Sequence, residues 1–300
     1  MSDTPTARPS GLPAALGAYV TWGFLPLYLI IVKAVPPFEL VAWRIIWTLP
    51  VCVLIVLIRR QWPELRSAIA NPRVMMVLFG SAALIAINWL VYTWAIYEEQ
   101  VYAASLGYYI NPLLNVLLGT LVLNEKLSRA QWLAVALAAV GVAVLAAGAI
   151  TTLWISLTLA FSFGTYGLLR KQVPVGALPG LTIESALLLL PAFGIAAWYA
   201  ESAAGSSIAV EPWLSFWIMM GGILTAIPLL LFAVAARRMD YSTLGFIQFL
   251  APSIVFILGL TVFRQELLPV QAICFAFIWT ALAVFVWDIW AKSRIRPAAS

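Results

Sequence analysis

Histidine is missing from all 300 residues, and cysteine occurs only at Cys52 and Cys274. Imidazole acid–base chemistry and His-containing zinc sites are therefore closed to this chain. Both cysteines sit inside apolar runs, which supports neither a disulfide framework nor a metal cluster. Charge is scarce too: Asp, Glu, Lys and Arg make up 10% of the residues, against 64% hydrophobic. A soluble domain carries about 25% charged residues. With a mean hydropathy of +1.00, water is not the main solvent of this protein. No G-x-S-x-G nucleophile elbow occurs either. These gaps argue against an enzyme and leave no cofactor or metal to expect.

What the chain has is length of apolar sequence. A helix crossing about 30 Å of hydrocarbon needs roughly 20 apolar residues. Runs of that length recur near 12–33, 38–58, 74–97, 101–123, 130–149, 151–170, 179–200, 213–236, 241–263 and 270–291. The expectation is an all-α integral membrane protein with ten transmembrane helices, its partners a lipid bilayer and a small-molecule substrate. Residues 1–11 and 292–300 read as cytoplasmic tails. The net charge of +5 does not point to nucleic acid, because the basic residues form short clusters between apolar runs. Ten spans sort the loops into two sets. Of the 17 Lys and Arg residues, all but Lys33, Arg44 and Arg264 fall in the set that includes both termini, among them Arg59, Arg60, Arg170, Lys171, Arg237 and Arg238. The positive-inside rule then puts both termini in the cytoplasm and the chain in the inner membrane. Residues 59–73 are either a basic interfacial segment or an ordinary charged loop.

A shift of 141 residues superposes Thr21-Trp22-Gly23 on Ser162-Phe163-Gly164, Pro50 on Pro191 and Gly80 on Gly221. With a drift of one or two residues, Tyr102 meets Tyr241, Gly107 meets Gly245, Pro112 meets Pro252, Gly119 meets Gly259, Glu125 meets Glu266 and Gln131 meets Gln271. Rare residue types agreeing in order indicate a duplication, with repeats at 12–149 and 150–291. Five spans per half is an odd number, so the halves enter the membrane in opposite senses. Two inverted five-helix repeats are an architecture of secondary transporters with a midplane site.

Residues 104–132, ASLGYYINPLLNVLLGTLVLNEKLSRAQW, resemble the end of an EamA domain of the drug/metabolite transporter superfamily. ELVAWRIIW (39–47), INWLVYTWA (87–95), AFSFGTYGLLRK (160–171), STLGFIQFLAP (242–252) and FAFIWTALAVF (275–285) bring the likeness closer to the RarD-type permeases. The resemblance covers about residues 13–290. It implies a ten-helix transporter of metabolites such as amino acids, or of drug-like molecules. In each half, the first four helices would line a central cavity and the fifth would stand outside. One departure is Ala281, where the first repeat has Gly141.

Ionisable side chains within a span are costly, so each is a candidate for function. Arg44 and Glu184 stand out by their depth in the spans, at nearly repeat-related positions. Each is either a charged element near a gate or a structural charge satisfied by neighbours. Glu184 would exchange a proton or hold a substrate ammonium group, and protons are the candidate coupling ion. Glu39, five residues before Arg44, reads as interfacial. Ser105, Tyr108, Asn111 and Asn115 recur at helical spacing beside Pro112. Asn88 with Tyr92, Tyr19 with Trp22, and Ser162 with Tyr166 form shorter stripes, and Gln248 is the repeat partner of Tyr108. These stripes either face a wet cavity or bond helix to helix. A channel or a non-transporting receptor remains the alternative to a carrier, and the oligomer would be a monomer or a homodimer.

Overall fold

A computed structural model of the chain describes residues 10–147, 150–203, 205–264 and 266–295. Among them every regular element is helical: α1 (Leu12–Ile31), α2 (Pro37–Ile58), α3 (Trp62–Ala70), α4 (Pro72–Tyr97), α5 (Val101–Leu121), α6 (Arg129–Ala146), α7 (Leu153–Gln172), α8 (Ala177–Leu187), α9 (Leu189–Glu201), α10 (Pro212–Arg238), α11 (Tyr241–Gln248), α12 (Leu250–Thr261) and α13 (Pro269–Ile295). Short 3-10 turns occupy Ile150–Thr152 and Ser207–Ala209. Nine spans among the described residues are long and apolar enough to cross a membrane, and α8 with α9 makes a tenth if the bent pair counts as one. Large apolar side chains stay exposed, such as Leu190 at 83% and Trp198 at 75%. In a protein that crosses the bilayer many times, such side chains face lipid rather than water.

Two of the expected spans are broken. α8 and α9 meet at 46°. The cause is Pro191, whose ring clashes with the carbonyl of the residue four back, Leu187, and which has no amide to give it. Pro252 acts likewise on Gln248 and separates α11 from α12. Pro26, Pro50, Pro112 and Pro228 are accommodated within continuous helices. The segment at 59–73 contains a helix, α3, which buries Leu65 and Ala68 and packs on α8.

The contacts divide the chain into two compact units, and each draws on both sequence halves. The first holds α1 to α3, α4 as far as Ala82, the end of α7 from Gly167, and α8 to α10. Here α10 is flanked by α1 and α2, and α2 also packs on α8 and α9. Gly222 brings α10 onto α2 so closely that a Cβ there would meet the Trp47 carbonyl carbon at 2.5 Å. The second unit holds the rest of α4, α5, α6, α7 as far as Tyr166, and α11 to α13. Its core is the α6–α13 pair, where Ala134, Ala138 and Gly141 face Cys274, Ile278 and Ala281. A Cβ on Gly141 would lie 2.9 Å from the Cys274 carbonyl oxygen. Ala281 is buried at that seam, so its methyl group does not prevent close packing. α6 opens with a capping box, Ser128 and Gln131 each bonding the other's backbone amide.

The α2–α10 approach is a close packing of backbones, so it does not tolerate a side chain. Gly222→Val is expected to destabilise the protein by about 3 kcal/mol through overpacking. Gly194→Ala, with nothing within 4 Å of the added carbon, should leave the melting temperature in detergent unchanged. Equal melting of both variants and the parent would refute the packing argument.

Candidate functional site

In the first unit the polar side chains gather around α8. Its residues Leu178 to Ser185 are buried without interruption, and Glu184 is 2% exposed among them. Oε1 of Glu184 accepts a hydrogen bond from Ser81 Oγ on α4 and lies 3.7 Å from Nε of Arg170. Arg170 is the partner that the sequence pattern hides. At the end of an apolar run it reads as a loop cation, yet it is 0% exposed. Gly180 makes this possible, since any Cβ there would occupy the guanidinium position. Nη2 of Arg170 donates to the Ala177 carbonyl at 2.8 Å, while Nη1 is buried without a hydrogen-bond acceptor among the described residues.

The neighbouring cations also bond to main chain. Lys171 Nζ donates to the carbonyls of Ala236 and Met239, at 3.0 and 2.6 Å. Arg237 Nη1 donates to those of Val173 and Val175. The backbone amide of Gly176 donates to Glu64 on α3 at 2.7 Å. The 173–176 connection is thus held from both sides. Cations at the C-terminal ends of α7 and α10 also oppose the negative end of each helix dipole.

Arg44 lies elsewhere in this unit. Its Nε donates to Thr225 Oγ1 at 2.8 Å, and Thr225 in turn donates to the Gly221 carbonyl at 2.7 Å. Glu39, in the first turn of α2, is fully buried. Its carboxylate accepts from Trp43 Nε1, Ser206 Oγ, and both the amide and hydroxyl of Ser207, so it caps the Ser207–Ala209 turn. Tyr19 and Trp22 cluster with Phe232, with ring centroids 5.7 to 6.4 Å apart.

In the second unit the expected polar stripe on α5 divides. Tyr108 turns to Tyr92 on α4, rings edge to face at 5.7 Å. Ser105 instead lines a cavity of about 230 Å³ with Tyr102, Tyr109, Glu266 and Gln271. Asn115 Nδ2 donates to Gln248 Oε1 at 2.7 Å, joining α5 to α11. Asn88 Nδ2 donates to Ser162 Oγ at 3.0 Å and to the Leu159 carbonyl at 2.9 Å. Tyr166 is buried against Phe163, centroids 5.8 Å apart. Several stripe residues thus bond one another between helices. Two acceptors are left over: Oδ1 of Asn111 and Oδ1 of Asn115 are buried without donors among the described residues. Such atoms cost free energy unless something bonds them.

Residues 9–147 match the model of the EamA-like transporter family. An uncharacterized transporter of Pseudomonas aeruginosa is 42% identical over 292 residues, 96% of each chain. The protein RarD of Escherichia coli is 40% identical over 286 residues, 93% of this chain and 94% of that one. A solved structure described as a crystal structure of protein superposes with a TM-score of 0.71 at 22% identity, covering 93% of this chain and 98% of that one. That likeness speaks for the fold alone.

Burial makes the Arg170–Glu184 pair a mutual dependence. Removing one partner strands the other charge, at a cost of about 3–5 kcal/mol, whereas replacing both with apolar groups is often near neutral. Arg170→Met and Glu184→Met should each lower the melting temperature sharply, and the double variant should recover most of the loss. Additive losses in the double variant would mean that the two groups do not act as a pair.

Proposed function

This chain belongs to the EamA-like transporter family as a RarD-type permease, and we propose that it moves a small organic metabolite, an amino acid or similar amphiphile, by alternating access. Two inverted five-helix repeats in the inner membrane, both termini cytoplasmic, are the architecture of this proposal. Sequence agreement between the halves supports the repeats, and the Lys and Arg distribution supports the orientation.

The observation that carries the substrate reading is the pair of buried amide oxygens on α5, Asn111 Oδ1 and Asn115 Oδ1. Acceptors without donors in a low-dielectric interior are matched by a ligand that brings donors, and an ammonium group is such a ligand. Tyr19, Trp22, Tyr92, Tyr108, Tyr166 and Gln248 are proposed to shape the path. Asn88, Ser105 and Ser162 are proposed to supply its polar contacts. Arg44 is proposed to meet the substrate carboxylate, though Thr225 holds its Nε in this conformation.

Glu184 is the proposed proton or ammonium site. With Ser81 and Arg170 on one oxygen, it can take either cation only when Arg170 gives way. Its charge state would thereby follow the conformation of α7 and α8. A purely structural role differs in outcome, since Glu184→Gln would then lose stability but transport like the parent while it stays folded.

Uptake of labelled amino acids and amphiphilic cations into proteoliposomes tests the reading. A saturable substrate is expected. Asn111→Ala should cut its transport by about tenfold or more with a melting temperature near the parent's, and Glu184→Gln should cut it as far when assayed below the lower melting temperature that a stranded Arg170 gives it. Parental transport by Glu184→Gln at every pH from about 5.5 to 8 would refute both roles given to that carboxylate. The orientation is checked by thiol labelling of sealed cells: cysteines replacing Glu99 or Gly205 should react from outside, and those replacing Arg66, Leu127 or Met239 should not.

A further inference from the structure

Glu125 lies in the connection after α5 and closes onto the first turn of α11. Oε1 accepts the Tyr241 amide at 2.7 Å, and Oε2 accepts the amide and hydroxyl of Ser242 at 2.8 and 2.7 Å. Gly119 leaves the space, since a Cβ there would lie 2.5 Å from both Glu125 Oε2 and Ser242 Oγ. A carboxylate on free amides at the start of a helix is a charge-assisted cap, aided by the helix dipole.

Most parts of this cap have a counterpart in the other sequence repeat. Glu125 matches Glu266, Gly119 matches Gly259, Tyr241 matches Tyr102 and Gln131 matches Gln271. The backbone repeats as well. α5 ends with the amides of Val122 and Leu123 on the Leu118 carbonyl, and α12 with those of Val262 and Phe263 on the Leu258 carbonyl. Asn124 and Arg264 then take the same left-handed turn, φ 55° and 51°. The closing contact differs. The start of α5 carries no side-chain cap, and Glu266 is exposed with no hydrogen-bond partner among the described residues. Between them lies the cavity of about 230 Å³, lined by Val101, Tyr102, Gly259, Leu260, Glu266 and Gln271. The cavity occupies the place where the second copy of the cap would form.

We propose that Glu125 and Glu266 are two latches of one conformational switch, the first closed here and the second open. Closure of the second places the Glu266 carboxylate on the amides of Tyr102 and Ala103 and removes the cavity, while Glu125 releases α11. The two closed states are unequal. Ser242 contributes a hydroxyl to the Glu125 latch, and its counterpart Ala103 has none to offer Glu266. The Glu125-closed state is accordingly the more stable. This inference rests on the repeat and on the alternating-access reading above.

The test uses the purified full chain with Cys52→Ala and Cys274→Ala, and Leu260→Cys as reporter of the cavity. Maleimide labelling rates are then compared. Glu125→Gln and Ala103→Ser should each slow labelling, the former by about tenfold, the factor that weakening charge-assisted bonds provides. Glu266→Gln should leave it at least as fast as in the parent. Glu125→Gln labelling as fast as the parent, or Glu266→Gln labelling as slowly as Glu125→Gln, would overturn the proposal. Ala103→Ser keeps the test independent of any folding defect in the Glu variants, since parental labelling in that variant also overturns it. These rates need no substrate. Missing uptake in proteoliposomes would sink the transport reading alone, and unchanged rates beside normal uptake would sink the latches alone.

Discussion

A polar group inside a bilayer has no water to bond, so the protein must satisfy it or leave it as a costly exception. That constraint is met inside the protein by buried groups such as Glu39, and charged side chains near the span ends serve backbone groups there in the same way. Glu39 caps the Ser207–Ala209 turn, Glu64 holds the Gly176 amide, and Glu125 caps α11. Lys171 and Arg237 bond carbonyls at the ends of α10 and α7. Charged side chains take over the role of solvent for backbone groups that helix ends and breaks leave unmet. The arrangement also explains how so few charges serve so many helices, because a single carboxylate such as Glu39 or Glu125 holds two or more donors.

The same constraint gives weight to the exceptions. Asn111 Oδ1, Asn115 Oδ1 and Arg170 Nη1 are buried and unmatched among the described residues, as are Arg170 Nε and the indole nitrogens of Trp47 and Trp217. Asn111 flanks Pro112, and Asn115 is held to Gln248 only through its nitrogen. Arg170 is retained by main-chain carbonyls and a long ion pair, with Gly180 keeping its place open. Unmet groups of this kind fit a protein that must meet different partners in different states better than one optimised for a single packing.

Most of the span pattern was legible in the sequence, since long apolar runs bounded by charge leave few alternatives. The breaks were half legible. Pro191 and Pro252 stand in the sequence, yet so do Pro26 and Pro228, which α1 and α10 absorb; the sequence does not say which freed carbonyl will find a partner. Residues 59–73 could be placed near a boundary, but that Leu65 and Ala68 bury against α8 depends on tertiary packing. Among candidate site residues, Glu184 and Arg44 were visible as rare charges within spans. Arg170 was not, because a cation ending an apolar run ordinarily reaches water, and its burial depends on Gly180 ten residues later. Ser105 shares a helical spacing with Tyr108, but α5 meets different neighbours on the two sides, so spacing alone joined what packing separates.

The proposed duplication would give two copies of each device, and small differences between them would suffice to set a direction. Glu125 and Glu266 follow matching helix ends, yet one start of helix offers a serine and the other an alanine. Arg44 falls on Ser185 under the same shift, with Glu184 beside it, so one copy places a cation where the other places an anion. Gly141 and Ala281 differ by a methyl group, and there both are buried in one seam where the difference is tolerated. In that reading the repeat is kept at positions such as Gly119, where a Cβ would lie 2.5 Å from Glu125 Oε2 and leave no room for variation.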